Sequence, residues 1–472
     1  MMFATDVALT GHTAGVVDVA TGQTDPRRPV HRPGHRPRRW VPSLTASLVM
    51  GGLAGVVILG IASYSRRAFS APGGVATFLG QEAGLAGGYL LLVMVLLMGR
   101  IPAVERAVGQ DRLAWWHREL GPWPIFLLLG HAVLITVGYA AQARTGALHE
   151  LRLLLLSYPD VMMAVVALGL IVLAGITSMR WARAHMRYET WWSVHLYLYL
   201  ALSLSFAHQI ANGQSFVGHP LAIVVWSVLW AGTAGTVLAF RVLLPIWRSV
   251  RHHLHVVGVN EEAPGVVSIV CAGRHLDRLA VSGGQFFRWR FMTKGLWWQA
   301  HPYSLSALPR PPYMRVTVKG LGDQSGAVAR IKPGTRVWIE GPYGAFTHHA
   351  RRTDKVLLVG AGVGVTPLRA ILEDLPRHVD VTVVLRWSTA EQAVLAEEMQ
   401  ALVSARHGRM VSITGSRHEV VVDGQTLVGT VPDVAERDVY VCGPEGWAGA
   451  VVDAAGRAGV PAARIHREVF AF

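Results

Sequence analysis

Long stretches without charge dominate the first half of the sequence. No charged residue occurs between Glu189 and Arg241, and none occurs between Arg39 and Arg66. A membrane-spanning helix needs about 20 predominantly apolar residues. The sequence predicts six such spans, near residues 44–63, 79–99, 121–142, 160–179, 190–210 and 221–245. A soluble helix could give one such stretch by chance but not six in succession, so we expect an integral membrane protein.

The arginines predict how the spans are oriented. The segments between spans alternate between few and many arginines, with fifteen on one side and four on the other. The fifteen are Arg27, Arg28, Arg32, Arg36, Arg38, Arg39, Arg100, Arg106, Arg112, Arg118, Arg180, Arg183, Arg187, Arg248 and Arg251. The positive-inside rule then places the N-terminus and the residues after span six in the cytoplasm. This distribution accounts for the net charge of +14 without nucleic acid, which we do not expect as a partner.

Composition changes near residue 250, where charged residues return at an ordinary density. The predicted organisation is a disordered basic tail (1–43), a six-span domain (44–250), a small antiparallel β-barrel (251–350) and a Rossmann-like α/β domain (351–472). Only two cysteines occur, Cys271 and Cys442. Two thiols exclude a four-cysteine iron–sulfur cluster and a disulfide framework.

Four histidines lie within or at the ends of predicted spans. His117 and His131 are 14 residues apart on span three, and His195 and His208 are 13 apart on span five. If the two helices lie side by side, His117 meets His195 at one depth and His131 meets His208 about 20 Å further along. Each pair could supply both axial ligands of a haem iron. The 13-residue spacing falls about 140° short of whole turns, so we expect a bulge, kink or tilt in span five.

The second half contains two cofactor motifs. His301, Pro302, Tyr303 and Ser304 place an aromatic ring beside hydroxyl and backbone donors on a barrel strand, which suits a flavin. Further on, an apolar strand leads into Gly360, Gly362, Gly364 and Pro367 and then an amphipathic helix. Glycines let the backbone approach a phosphate at a helix N-terminus, so this turn predicts binding of a pyridine nucleotide.

The nucleotide preference rests on the next strand. Arg386 follows it, and no carboxylate stands there to hold a ribose 2′-hydroxyl. An arginine could instead pair with a 2′-phosphate. The sequence therefore favours NADPH, with NADH as the alternative.

These motifs together resemble the ferric reductase-like transmembrane family, which includes the NADPH oxidases and ferric-chelate reductases. The histidine spacings and their contexts, 115–118 and 189–195, carry the resemblance in the spans. It implies two stacked b-type haems, with His117, His131, His195 and His208 as metal ligands.

The second half resembles the ferredoxin-reductase-type domain of that family, with the flavin motif in its His-Pro variant. The resemblance implies that the segment from Lys319 to Ser325 cradles the FAD pyrophosphate and that residues 340–344 close the barrel. It places Cys442, Gly443 and Pro444 beside the nicotinamide. It also makes Cys442 and Phe470 catalytic, with Phe470, or alternatively Phe472, covering the flavin.

The expected activity is electron transfer from cytoplasmic NADPH through FAD and two b haems to an acceptor across the membrane. A ferric chelate or oxygen is the expected acceptor. NADPH oxidases carry a further histidine one turn beyond the outer ligand of span three, where this chain has Ile135. Two alternatives remain: a membrane-anchored flavin reductase that serves a membrane or extracytoplasmic protein partner, and a non-haem six-span transporter or sensor fused to a flavin domain.

Overall fold

The computed structural model describes residues 41–158, 160–320, 323–415 and 424–469. Most of the predicted tail, together with Phe470 and Phe472, lies outside these ranges. The described chain divides into two compact units. The first contains residues 41–104 and 110–242, and the second contains residues 105–109 and 243–469.

The first unit is built from helices. Six helices are long and apolar enough to cross a membrane, which confirms the six predicted spans: Ser43–Ser63, Gly74–Leu97, Arg112–Ala143, Val161–Ser178, Glu189–Asn212 and Pro220–His252. In chain order the helices are α1 (Val41–Ser63), α2 (Arg66–Ser70), α3 (Gly74–Leu97), α4 (Pro102–Val108), α5 (Gln110–Leu120), α6 (Pro122–Ala143), α7 (Ala147–Ser157), α8 (Val161–Ser178), α9 (Arg180–Ala184), α10 (Tyr188–Asn212) and α11 (Pro220–Val237). Of these, α4 is divided between the units, with its residues from Glu105 onward in the second.

Local chemistry explains several helix ends. Prolines open α6 and α11, where a missing N–H costs nothing. After α11 a π-helical segment, Leu238–Leu243, leads into α12 (Leu244–His252). Arg241 lies in this segment and its Nη1 donates to the carbonyl of Met98, 2.9 Å away. That bond satisfies a carbonyl just beyond the end of α3.

Glycines on α3 let it pack closely against α6. A Cβ added at Gly80 would lie 3.1 Å from Ile135, and one at Gly84 would lie 2.6 Å from the Nδ1 of His131. A Cβ at Gly87 would lie 3.0 Å from Leu128. In a membrane, where water does not drive helices together, small residues on a shared face allow close backbone approach.

The second unit begins with a six-stranded antiparallel sheet in the order β4-β3-β6-β1-β2-β5. Its strands are β1 (Leu254–Ala263), β2 (Val266–Ala272), β3 (Phe286–Phe291), β4 (His301–Ser304), β5 (Tyr313–Lys319) and β6 (Arg336–Tyr343), with α13 (Asp323–Val328) between the last two. The residues just after the edge strand β4 meet the other edge strand, β5, through an isolated bridge between Leu305 and Val316 and a hydrogen bond from the N–H of Ser306 to the carbonyl of Arg315. The predicted barrel is thus a sheet whose edges approach one another at one point.

A five-stranded parallel sheet follows, in the order β11-β10-β7-β8-β9. Its elements are β7 (Lys355–Ala361), α14 (Val365–Asp374), β8 (Asp380–Trp387), α15 (Ala396–Ser404), β9 (Arg409–Thr414), α16 (Gly424–Thr430), β10 (Asp438–Gly443), α17 (Glu445–Arg457) and β11 (Ile465–Val469). Short 3₁₀ turns occur at Leu276–Arg278, His348–Ala350, Gly362–Gly364, Ala390–Gln392, Val434–Glu436 and Ala462–Arg464. The prediction of a Rossmann-like domain is confirmed.

A buried ionic cluster joins the two sheets of the second unit. Arg315 on β5 donates through two nitrogens to both carboxylate oxygens of Glu398 on α15, at 2.6 and 2.8 Å. Glu398 also accepts from Arg369 on α14 at 2.5 Å, and Arg369 reaches Glu373 at 2.7 Å. Glu373 pairs in turn with Arg310 at 2.5 Å. The cluster, defined as these five residues, ties the antiparallel sheet to the helices that flank the parallel one.

Candidate functional site

The structure brings the four membrane histidines together in two pairs. The ring centres of His117 and His195 are 6.1 Å apart, and those of His131 and His208 are 6.5 Å apart. The rings within each pair are steeply inclined, at 64° and 70°. Along α5 and α6 the two pairs are separated by about 21 Å, the rise of 14 helical residues.

Backbone carbonyls of α3 orient two of these imidazoles. The Nδ1 of His131 lies 2.7 Å from the carbonyl oxygen of Gly80, and the Nδ1 of His117 lies 3.1 Å from that of Met94. A carbonyl can only accept, so each Nδ1 carries the proton and donates. The Nε2 of each ring is then left with a free lone pair, which is the form that binds a metal.

The two histidines of α10 have different neighbours. His195 stacks on Trp191, with ring centres 5.1 Å apart, and its buried Nδ1 has no partner among the described residues. The Nδ1 of His208 lies 3.4 Å from the side-chain nitrogen of Asn212. In each pair, the imidazole from span three is therefore oriented by a carbonyl of α3, and the imidazole from α10 is contacted by another residue of α10.

Of the bulge, kink or tilt expected in span five, a bulge is not found, because α10 is one continuous α-helix from Tyr188 to Asn212. The pairing forms without it. A difference of about 140° can be divided into about 70° on either side of the direction that faces the partner helix. An imidazole extends far enough from the helix axis to reach inward from either flank.

A cavity of about 210 Å³ opens beside the outer pair. His131 and His208 both line it, with mostly apolar side chains such as Leu128, Ile135 and Leu168. A single buried water needs only about 10–15 Å³ of such space. The cavity therefore suits a large apolar group held between the two histidines.

The residues fit a haem. A nitrogen ligand binds a transition metal at about 2.0–2.1 Å and the imidazole centre lies about 1 Å behind it, so two rings on opposite sides of one ion have centres about 6 Å apart. Both observed separations have this value. Among the described residues no group of three or more His, Cys, Asp or Glu side chains could hold a metal ion.

Sequence reasoning missed the contribution of α3 to this site. The glycines at 80 and 84 form a Gly-x-x-x-Gly pattern, which in an apolar helix signals close helix packing. That signal was available. The carbonyl of Met94 had no sequence signal, because any residue at the end of a helix presents one.

In the second unit the flavin motif occupies β4, which pairs with β3 so that Trp289 faces His301. The rings of His301 and Tyr303 stack 5.9 Å apart at 15°. Burial raises the pKa of Tyr303 to about 12, so its hydroxyl keeps its proton and can donate. Burial, and next the charge of Arg288, lower the pKa of His301. The buried Nε2 of His301 has no partner among the described residues, as expected of a group that awaits a ligand.

Other predicted flavin residues are only partly described. Pro302 is exposed and Ser304 is buried on the same strand. Lys319 ends β5, and Ser325 lies on α13, but residues 321–322 between them are outside the described ranges. Phe470 and Phe472 also lie outside them.

The nucleotide motifs meet at the point where the parallel sheet reverses its strand order. Residues 362–364 follow β7, Gly443 ends β10 and Pro444 follows it, and these two strands are neighbours. A Cβ added at Gly364 would lie 2.2 Å from the carbonyl oxygen of Cys442. Ligands of open parallel sheets bind in the crevice beyond such a switch point. Gly360, one residue before the end of β7, pairs with Cys442, and Pro367 is buried in the first turn of α14.

Two side chains at this crevice have defined surroundings. The side chain of Cys442 is fully buried in the core cluster that includes Leu368. Burial, with the carboxylate of Glu468 adding to it, raises the pKa of the Cys442 thiol, which is therefore un-ionised at neutral pH. Arg386 is half-buried near the end of β8, and its Nη2 donates to the carbonyl of Gly415 at 2.8 Å.

The two halves of the chain match different families of known proteins. Residues 83–206 match the family described as ferric reductase like transmembrane component, and residues 358–453 match the oxidoreductase NAD-binding domain. The chain is 27% identical to the NADPH oxidoreductase of Mycobacterium tuberculosis, over 43% of this chain and 56% of that one. It is 33% identical to a flavohemoprotein of Vibrio cholerae, over 36% of this chain and 45% of the relative.

One solved structure illustrates the second half. The flavohem-like FAD/NAD binding domain of nitric oxide dioxygenase from Vibrio cholerae covers 47% of this chain and 99% of its own, with 26% identity and a TM-score of 0.39. The chain spans about half the length of the curated relatives it matches. The chain thus contains, in this order, a region similar to the ferric reductase like transmembrane component and a region similar to the oxidoreductase NAD-binding domain.

Proposed function

We propose that this protein transfers electrons from NADPH through FAD and two b-type haems to an acceptor on the opposite side of the membrane. The observation that carries the proposal is the pairing of four membrane histidines at 6.1 and 6.5 Å. In each pair, the imidazole from span three has its Nδ1 bonded to a carbonyl and its Nε2 free.

His117 and His195 would hold the inner haem, and His131 and His208 the outer one. Bound haem supplies an iron that carries one electron at a time. The carbonyls of Gly80 and Met94 hold two of the ligands in one tautomer, and hydrogen bonding at Nδ1 raises the basicity of the ligating nitrogen. The mostly apolar lining of the outer cavity would limit the access of water to a metal held there.

On the other unit, β4 would hold FAD and the switch-point crevice would hold the nucleotide. Bound FAD supplies the step between a two-electron hydride donor and one-electron carriers. Tyr303 offers an aromatic face and a protonated hydroxyl, and the Nε2 of His301 offers a polar atom without a partner in the described chain. A Cβ at Gly362 would meet no atom within 4 Å, which leaves room for the pyrophosphate at the start of α14, and Gly364 lets this turn pack against the carbonyl of Cys442. Arg386 would pair with the 2′-phosphate of NADPH.

The proposed direction is outward. Arginines are concentrated on the side of the N-terminus and of the second unit, which the positive-inside rule places in the cytoplasm. The acceptor would be a ferric chelate or oxygen at the outer end, where Ile135 lines the cavity beside His131.

Reduction by nucleotide under anaerobic conditions tests the proposal. The full chain, expressed with ample haem precursor and reconstituted with FAD in nanodiscs, should show a b-type spectrum. NADPH should reduce nearly all the haem that dithionite reduces, and NADH should act at least about tenfold more slowly, since it lacks the 2′-phosphate. Oxygen or a ferric chelate, added separately, should then reoxidise the haem. A preparation without b-type absorbance, or haem that NADPH leaves oxidised, would contradict the proposal.

A methyl group at Gly84 should weaken the outer haem site. In Gly84→Ala the new Cβ would lie 2.6 Å from the Nδ1 of His131, so the imidazole must move away from its bond to Gly80. Loss of such an orienting contact lowers metal affinity by about 10–100-fold. Haem content per chain is measured as the pyridine complex, during dilution of the protein or in competition with apomyoglobin. One of the two haems should be lost more readily than in the unaltered chain, and the other should be retained.

Gly130→Ala is the matched control. Gly130 adjoins His131 on the same helix, but a Cβ there would meet no atom within 4 Å. This variant should retain both haems with the affinity of the unaltered chain. Equal loss in the two variants would show that the effect arises from helix substitution in general rather than from contact with the imidazole.

A further inference from the structure

Two adjacent tryptophans project from the second unit. Trp297 and Trp298 are 58% and 48% exposed, and they lie on the connection between β3 and β4. We name residues 293–299 the Trp loop. Among the described residues of this unit, the other exposed large hydrophobic side chains are Leu243, those on α12 and Val428.

The Trp loop has a defined conformation. Leu296 is only 4% exposed and belongs to the core of the antiparallel sheet. The N–H groups of Leu296 and Trp297 both donate to the carbonyl of Thr293 at 3.1 Å, and that of Gln299 donates to Leu296 at 3.2 Å. A buried leucine thus anchors the loop while the two indoles point outward. Each tryptophan can bury about 150–250 Å², so a pair held in water indicates a surface that is covered in the assembled protein.

The second unit is close in sequence to a candidate membrane-spanning helix. The second unit begins at residue 243, within the candidate span that runs from Pro220 to His252, and α12 forms the end of that span. Exposed apolar side chains recur at i, i+3, i+4 and i+7, with Leu243 just before α12 and Ile246, Trp247 and Val250 on it. The opposite face of α12 is buried, with the backbone N–H of Ile339 donating to Ser249 Oγ. An amphipathic helix of this kind at the end of a span is suited to the bilayer interface.

Tryptophans already mark that side of the membrane. Trp115, Trp181 and Trp192 are 48%, 75% and 45% exposed. They lie at the ends of the third, fourth and fifth spans, on the side from which the sixth span leaves because successive spans alternate in direction. Tryptophans at helix ends form belts at the headgroup level. The exposed tryptophans on the second unit are suited to the same contact with lipid headgroups.

Charge favours an anionic surface. Residues 286–300 contain Arg288, Arg290 and Lys294 and no Asp or Glu. The two arginines lie 3.6 and 3.7 Å from Glu340, whereas Lys294 is on the exposed Trp loop itself. A basic residue near an anionic leaflet is attracted to it.

We propose that Trp297 and Trp298 insert into the headgroup region of an anionic phospholipid bilayer and hold β4 at the membrane surface. β4 begins three residues after Trp298. The proposed lipid contact is argued only from the exposure of the two tryptophans, the anchoring of the Trp loop and the positive charge of that loop. Its consequence, a flavin site kept close to the membrane haems, rests on the proposed function.

Site-specific labelling tests the contact. Cys271 and Cys442 are fully buried, so a cysteine introduced by Trp298→Cys is the accessible thiol of the folded chain. The full chain, labelled with an environment-sensitive fluorophore and placed in nanodiscs of phosphatidylcholine and phosphatidylglycerol, is compared with and without nitroxide-labelled lipid. Lys294→Cys on the same loop provides a second position should the first variant fold poorly. Val428→Cys, 40% exposed on α16, is the matched control.

Quenching by the nitroxide lipid should lower emission at least about twofold for both loop positions and leave the Val428→Cys signal unchanged. Equal insensitivity at the loop and the control would overturn the proposal. So would shielding that appears on addition of FAD in detergent without lipid, since the indoles would then belong to the cofactor site. The readout needs no haem reduction, so its failure is separate from failure of the electron path.

Discussion

Replacement of His131 by alanine is expected to remove about half of the b-type haem absorbance, from two haems per chain to one. The imidazole of His131 faces His208 at 6.5 Å, and no other described histidine ring contacts either of them. The inner pair lies about 21 Å away along the helix and keeps both of its ligands. NADPH should still reduce the remaining haem, while reduction of an outer acceptor falls by at least about 100-fold, because one-electron transfer loses its last carrier.

Haem content as the pyridine complex and a reductive potential titration measure this outcome, since one of two potentials should disappear. His208→Ala should remove the same haem, and the double variant should lose no more than either single one. His149→Ala, at an exposed position on α7, is the control and should retain both haems. An unchanged haem ratio in His131→Ala would refute the ligand assignment.

Replacement of Glu398 by alanine is expected to cost about 3–5 kcal/mol of the stability of the second unit, the usual result of leaving buried charge without its partner. Arg315 and Arg369 are 1% and 0% exposed, and both donate to this carboxylate. Glu397→Ala changes the preceding, exposed glutamate and should alter stability by no more than about 0.5 kcal/mol. Denaturant unfolding of the full chain in detergent, followed by tryptophan emission and flavin release, measures the difference. Similar losses in the two variants would assign no special role to the cluster.

The same cluster makes a pH prediction. Burial opposes ionisation of Glu373, but Arg369 and Arg310 outweigh it and lower the pKa of its carboxyl to about 2. The pKa of Glu398 is also lowered, against burial, by Arg315 and Arg369. A carboxyl whose pKa is depressed on folding stabilises the fold above its unfolded pKa of about 4.3 and loses that contribution as pH falls toward the folded value. Stability of the second unit should therefore fall between about pH 5 and pH 2, and Glu398→Ala should show a shallower fall.

Much of the fold follows from local pattern. Six apolar stretches predicted six helices, since a segment that long and that free of charge has few other stable environments. The step from Gly360 to Pro367 predicted a strand, a tight turn and a helix, and β7 and α14 are found there. The helix ends differ from the predicted ones. The third and sixth helices extend into polar residues at Arg112 and His252, because intrahelical hydrogen bonding continues beyond the apolar stretch.

The surroundings of the site were less predictable. The α10 helix did not need the bulge that its 13-residue spacing suggested, because side-chain reach absorbs the angular difference. The bond between His131 and Gly80 joins residues 51 apart, and the bond between Arg315 and Glu398 joins residues 83 apart. Neither partner is marked by its own neighbours in the chain.

The amino-acid order alone determined the membrane helices, the four histidines on two of them and the two cofactor motifs that follow, because each is a matter of composition or of spacing within one element. The tertiary structure decided which imidazoles face each other, which nitrogen of His131 and His117 stays free, how the ionic cluster joins two sheets and which tryptophans remain outside. The reason is physical: these features depend on how closely separate elements approach, and a missing Cβ at Gly84 or a buried Leu296 sets that approach only once the elements have packed.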